Sequence, residues 1–140
     1  TADAVVTDHA PHTRVDKEVE FGMAANGISG IETALGVLLA AVDAGLVPLL
    51  GAIELLTTGP ARVLGRRFVD RPVGLVEGAE ADLVVFDRSE PWSVTPESLL
   101  SKGKNSPLRG RQLPGLVLLT IAAGRPAHEA RGIGQSMMTE

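Results

Sequence analysis

The residue pattern predicts an α/β chain whose helices fall in the first half and whose strands fall in the second. Three observations carry this. Ala4-Val5-Val6 is an apolar run of strand type that leads straight to a carboxylate, Asp8. Leu35, Leu38, Leu39 and Val42 recur at helical spacing. From about Arg67 the apolar residues gather instead into short Val- and Leu-rich runs separated by Gly and Pro.

Taken in order, residues 1 to about 12 read as a strand followed by a functional loop, because Pro11 removes a backbone donor and ends the ladder. Thr13 to Gly27 is charged, glycine-containing and without a sustained period, which predicts a long connection over a site. Ser29-Gly30-Ile31-Glu32 has the form of a capping box, with Ser29 as N-cap and Glu32 reaching back to its amide. The helix it would open runs through Leu35 to Val42, and Gly45 offers a C-terminal stop. A second helix is expected over Leu49 to Leu56, with Ile53 and Leu56 on its buried side. Pro60 opens a short third helix, Ala61 to Leu64, closed by Gly65. Strands are expected at Val73 to Val76, Ala81 to Phe86 and Leu116 to Ala122, with turns at Gly78 and at Gly124-Arg125-Pro126. Pro91 to Leu113 is less regular, and Gly134 to Glu140 reads as a loose tail. The expected boundary divides residues 1–66 from residues 67–140.

Composition narrows the function classes. With 44% hydrophobic residues and a mean hydropathy of +0.18, the chain can bury a core. Aromatics are only Phe21, Phe68, Phe86 and Trp92, so that core rests on Leu, Val, Ile and Ala. A net charge of -4 leaves no basic footprint for nucleic acid, and no apolar stretch is long enough for a membrane span. The absence of cysteine excludes disulfides and thiolate metal sites and suits a reducing cytosol. The chain opens at Thr1 with neither initiator Met nor signal peptide, close to a strand bearing a candidate site residue. It is therefore expected to be an excised piece of a longer protein.

The chemistry concentrates in Thr7-Asp8-His9-Ala10-Pro11-His12, a carboxylate and two imidazoles within five residues at the carboxyl end of a strand. Parallel barrels and sheets place their reacting groups there. A carboxylate in that position can accept a proton from water and return it to a leaving nitrogen. The plainer reading of Asp8 alone is a residue capping a loop; the full hexapeptide favours chemistry. His9 could orient Asp8 or a neighbouring ligand, or could be a packed and hydrogen-bonded ring. His12 is a second site candidate against the alternative of a solvated loop histidine. His128 reads as a surface residue, and Lys104 and Asn105 as surface turn residues without a role.

The hexapeptide resembles the last metal-site motif of the cyclic amidohydrolases and, within them, of the dihydroorotases. Four further segments resemble that family in the same order. Asn26 to Thr33 matches a Gly-rich lead into a helix, and Gly59 to Gly65 matches an Asn-Pro-Ala helix start with Gly59 in place of Asn. Gly74 to Asp87, with Gly78 and Ala81-Asp82-Leu83, matches a strand pair. Lys104-Asn105-Ser106-Pro107-Leu108 matches a C-terminal Lys-Asn-Thr-Pro-Phe segment with Leu108 replacing the aromatic. The resemblance covers most of residues 4 to 130.

The resemblance implies a metal-dependent hydrolase in which residues 1–66 supply the last strand and helices of a TIM barrel. Residues 67–140 would form part of a small composite β-sandwich and a tail. A whole TIM barrel takes about 250 residues, so an N-terminal barrel portion would lie elsewhere. Asp8 would be metal ligand and proton shuttle, His12 a contact to the substrate carboxylate, and the backbone of Asn26 and Gly27 a contact to the pyrimidine ring. The cofactor implied is zinc, one or two ions, with its other ligands outside this chain. The activity implied is interconversion of N-carbamoyl-L-aspartate and L-dihydroorotate in cytoplasmic pyrimidine biosynthesis, with the isolated chain inactive. Partners implied are a second copy or aspartate transcarbamoylase. Alternatives are an allantoinase or hydantoinase, or a dihydroorotase-like subunit that only supports a transcarbamoylase.

Overall fold

The computed structural model describes residues 2–65 and 73–130. Among these residues four helices come first, α1 (Arg14–Lys17), α2 (Ala34–Asp43), α3 (Leu49–Leu56) and α4 (Thr58–Leu64), with a 3-10 turn at Phe21–Met23. Three strands follow, β1 (Leu83–Ser93), β2 (Gln112–Ala122) and β3 (Arg125–Glu129), forming one antiparallel sheet in the order β1-β2-β3. The expected boundary near Arg67 and the tail from Gly134 lie outside the described residues.

Helix α2 forms where the Leu spacing predicts it, and Gly45 with φ 72 ends it. It packs on β2 through two glycines. A Cβ on Gly36 would stand 2.8 Å from the Leu113 Cβ, and one on Gly115 would stand 2.3 Å from the Leu39 Cδ1. Missing side chains at these two positions let helix and strand meet directly, and Leu39 is fully buried between them. Helix α3 matches its expected span, and Ile53 and Leu56 are half-buried beside the buried Ala52. Helix α4 begins at Thr58 rather than at Pro60, which sits inside its first turn where no N–H is needed. Gly65, φ 71, closes it.

Strand β1 extends well past Phe86 because the ladder resumes after an irregularity. The register moves between Asp87 and Pro91. There the Asp87 carboxylate accepts hydrogen bonds from the Ser89 amide and hydroxyl and from the Glu90 amide. The Ser89 bonds hold that carboxyl below its usual range. Beyond the bulge, Trp92 and Val94 join Leu99, Leu108 and Leu113 in a cluster that anchors the loop from Thr95 to Arg111.

Three expectations fail. Ala4-Val5-Val6 is no ladder strand among the described residues; the Val5 amide instead donates to the Leu55 carbonyl at the end of α3. A strand needs a neighbour, and the one β-bridge nearby is the isolated parallel pair His9–Ile28. Val73 to Val76 is also not a strand, and its residues are exposed. The capping box at Ser29 does not form: α2 has Thr33 as N-cap with no side-chain cap bond. Both members of the supposed box are used over longer range, Ser29 on Gly103 and Asn105, and Glu32 on the amides of Leu100 and Ser101.

Candidate functional site

The loop from Asp8 to His12 is held by the segment Asn26 to Ile31 on one side and by Gly103 to Asn105 on the other. The Ala10 amide donates to the Ile28 carbonyl at 2.9 Å. Gly27 has φ 102, and a Cβ there would lie 2.5 Å from the Ala10 Cβ. The resemblance implies that this backbone contacts a ligand; the close neighbour of Gly27 within the chain is the loop itself. Gly103 is equally constrained, since its Cβ would meet Pro11 at 2.6 Å and the His12 amide nitrogen at 2.7 Å.

Asp8 adopts a positive φ of 42, a left-handed conformation that Asp tolerates better than most residues. Its side chain is exposed, and among the described residues no hydrogen-bond partner ties the carboxylate down. Asp8 thus presents an ordered backbone and a free acid.

The two imidazoles are set differently. His9 Nδ1 accepts the Gly30 and Ile31 amides at 3.2 and 3.3 Å, so that nitrogen carries no proton. Its Nε2–H points to the Ser101 hydroxyl at 3.4 Å. His9 therefore pins the loop to the lead-in of α2, and its ring bonds do not include Asp8. His12 Nε2 donates to the Asn26 carbonyl at 2.8 Å, which leaves Nδ1 as its unused ring atom. The sequence-derived residues His12, Asn26 and Gly27 are thus brought together, with Asp8 two residues before the Ala10 that packs on Gly27.

Beyond His12 opens a pocket of about 890 Å³ whose charged lining is Arg14, Lys17, Lys102, Lys104, Arg109 and one acid, Glu18. The Lys17 amine donates to the Ala25 and Gly27 carbonyls, which ties α1 to the same segment. Lys104 donates to the Leu99 carbonyl. Arg14 pairs with Glu18 at 2.9 Å and holds that carboxyl below its usual range, with a smaller pull from Arg109. Helix α1 is capped by Thr13, whose hydrogen bonds likewise lower Asp16. The pocket carries a surplus of positive charge and suits an anion.

The residue that sequence reasoning missed is Asn105. Its side chain touches Ala10, His12, Gly27 and Ser29, every part of the loop assembly. A polar residue before Ser-Pro reads as a turn; the only signal was the Lys-Asn-Ser-Pro motif itself.

The described residues do not by themselves build a metal centre. No group of three or more His, Cys, Asp or Glu stands close enough to hold an ion among them. Zinc takes three or four protein ligands, and here Asp8 offers one while both His9 nitrogens are engaged. No helix among the described residues is long and apolar enough to cross a membrane.

The Amidohydrolase family matches residues 7–128. A dihydroorotase of Anaeromyxobacter dehalogenans (strain 2CP-1 / ATCC BAA-258) is 49% identical over 130 residues, covering 92% of this chain and 29% of that protein. A dihydroorotase of Syntrophus aciditrophicus (strain SB) is 45% identical over 130 residues, with the same coverage of 92% and 29%. A D-hydantoinase (dihydropyrimidinase) from Thermus sp. shares the fold at a TM-score of 0.77 and 24% identity, over 91% of this chain and 28% of that one. The chain thus spans about 29% of the length of the curated relatives it matches. With that match running from Thr7 through the Asp8–His12 loop to His128 at the end of the sheet, the chain belongs to the amidohydrolase family.

Proposed function

We propose that this chain is the C-terminal segment of a cytoplasmic, zinc-dependent dihydroorotase that interconverts N-carbamoyl-L-aspartate and L-dihydroorotate in de novo pyrimidine synthesis. In this reading residues 1–66 complete a TIM barrel and residues 67–140 contribute to a composite β-sandwich. The observation that supports it most is the joining of His12 to the Asn26-Gly27 backbone beside a free Asp8. The cationic pocket behind His12 suits a substrate that carries carboxylates.

Asp8 supplies one zinc ligand in this reading, and the remaining ligands come from protein outside these residues. Zinc when bound polarises an amide carbonyl and acidifies water. The work of this chain is proton transfer and orientation. In the hydrolytic direction the water oxygen forms a bond to the ring amide carbon while Asp8 takes the water proton. The ring C–N bond then breaks and Asp8 returns the proton to the departing nitrogen. Cyclisation is the same path reversed, with water released. His12 holds the substrate carboxylate. Because its Nε2–H is committed to Asn26, it can donate to that carboxylate from Nδ1 only as the imidazolium, or by releasing Asn26.

The test is substrate choice by an enzyme carrying this segment. Dihydroorotate should turn over, with hydantoin and allantoin at background. Turnover of either of those with none of dihydroorotate would reject the assignment. A partner role, supporting aspartate transcarbamoylase or a second copy, belongs to the same reading and is tested by copurification.

A further inference from the structure

Three of the four hydrogen-bonding positions of the Asn105 amide are taken by backbone partners, and the fourth faces the Ser29 hydroxyl, whose single proton serves either Asn105 Oδ1 or the Gly103 carbonyl. Its Oδ1 accepts the His12 amide at 2.9 Å and faces the Ser29 hydroxyl at 2.7 Å. Its Nδ2 donates to the Ala10 carbonyl at 3.0 Å and to the Gly27 carbonyl at 3.3 Å. Its own backbone carbonyl accepts the Ser29 amide at 3.4 Å. The partners lie 76 to 95 residues away along the chain. The amide orientation is unambiguous, since a backbone N–H can meet only the oxygen and two carbonyls can meet only the NH₂. Gly103, pressed against Pro11 and His12, leaves room for this approach and for no side chain of its own.

From this geometry we infer that Asn105 is a positioning residue for substrate binding. It fixes the peptides of Ala10 and His12 against that of Gly27, and so sets where the His12 ring meets Asn26 and where both face the substrate. The inference rests on the reading of this loop as substrate-facing, but the clamp itself does not.

Asn105→Asp keeps the shape and puts a carboxylate oxygen against two carbonyls, so it breaks the clamp with little change in volume. The first measurement is on an enzyme carrying this segment, comparing Asn105→Asp, His12→Ala and the double variant with dihydroorotate. If Asn105 acts through His12, the single change raises KM about tenfold, and the double variant is within about twofold of His12→Ala alone. Fully additive losses, or an unchanged KM with only a lowered melting midpoint, would overturn the inference by leaving Asn105 a merely structural residue. The second measurement is amide hydrogen exchange at His12 in the unaltered enzyme that carries this segment. Protection is expected there, and exchange as fast as at Leu75, which is 90% exposed, would overturn the clamp without reference to any substrate. Protection at His12 with no dihydroorotate turnover in the unaltered enzyme would reject the proposed function and its KM consequence, while the clamp stands.

Discussion

At the scale of single residues, the roles proposed for Asp8 and His12 require that the two fail in different ways in an enzyme that carries this segment. Asp8→Asn keeps the shape and deletes the proton acceptor, so the loss should fall on kcat. General acid–base catalysis contributes about 10²–10⁴-fold. His12→Ala removes the proposed contact to a carboxylate present in both ground and transition states, so KM should rise with a smaller change in kcat. A charge-assisted hydrogen bond of about 1.5–3 kcal/mol corresponds to a loss of roughly ten- to a hundredfold in kcat/KM. Steady-state kinetics separates the two. A near-normal kcat for Asp8→Asn with metal bound would remove Asp8 as the shuttle, and an unchanged KM for His12→Ala would place the carboxylate elsewhere. That these two residues share one loop was legible in the sequence because they sit within one short motif. Asn105 was not legible, because its meaning depends on partners as far as 95 residues away.

At the scale of elements, legibility followed the range of the interactions. Helices α2 and α3 were readable because apolar spacing is local and their packing agrees with it. The false capping box had the right letters, but Ser29 and Glu32 found tertiary partners that bind more of the chain than a local cap could. Ala4-Val5-Val6 and Val73 to Val76 have strand composition without a paired neighbour, and composition alone makes no ladder. The packing of α2 on β2 supplies a prediction of its own. Gly115 has φ 87 and its Cβ would strike Leu39, whereas Gly110 has φ 81 with nothing near. Gly115→Ala combines a left-handed penalty of about 1–2 kcal/mol with overpacking of about 1–3 kcal/mol. Gly110→Ala carries only the first. Chemical denaturation should show Gly115→Ala as the more damaging of the two. Equal losses would mean that the α2–β2 contact yields easily and that Leu39 is not the keystone its full burial suggests.

At the scale of the whole molecule, the described residues hold the Asp8–His12 loop in place but bring together no group of three or more potential metal ligands. Among the described residues large apolar side chains are often exposed, Phe21 at 99% and Leu75 at 90% among them. The lack of such a ligand group governs metal binding. A single exposed carboxylate in water competes poorly for zinc, because stable sites gather three or more ligands and fix them before the ion arrives. The isolated 140-residue chain should therefore bind zinc no more tightly than its Asp8→Ala variant in equilibrium dialysis. With zinc and carbamoyl aspartate supplied, it should also stay at background turnover. Asp8-dependent binding at one ion per chain, or turnover that copurifies with the chain and disappears in Asp8→Ala, would show that residues within this chain complete the site. The proposal that its other ligands lie elsewhere would then fail, while the membership of the chain in the amidohydrolase family would not.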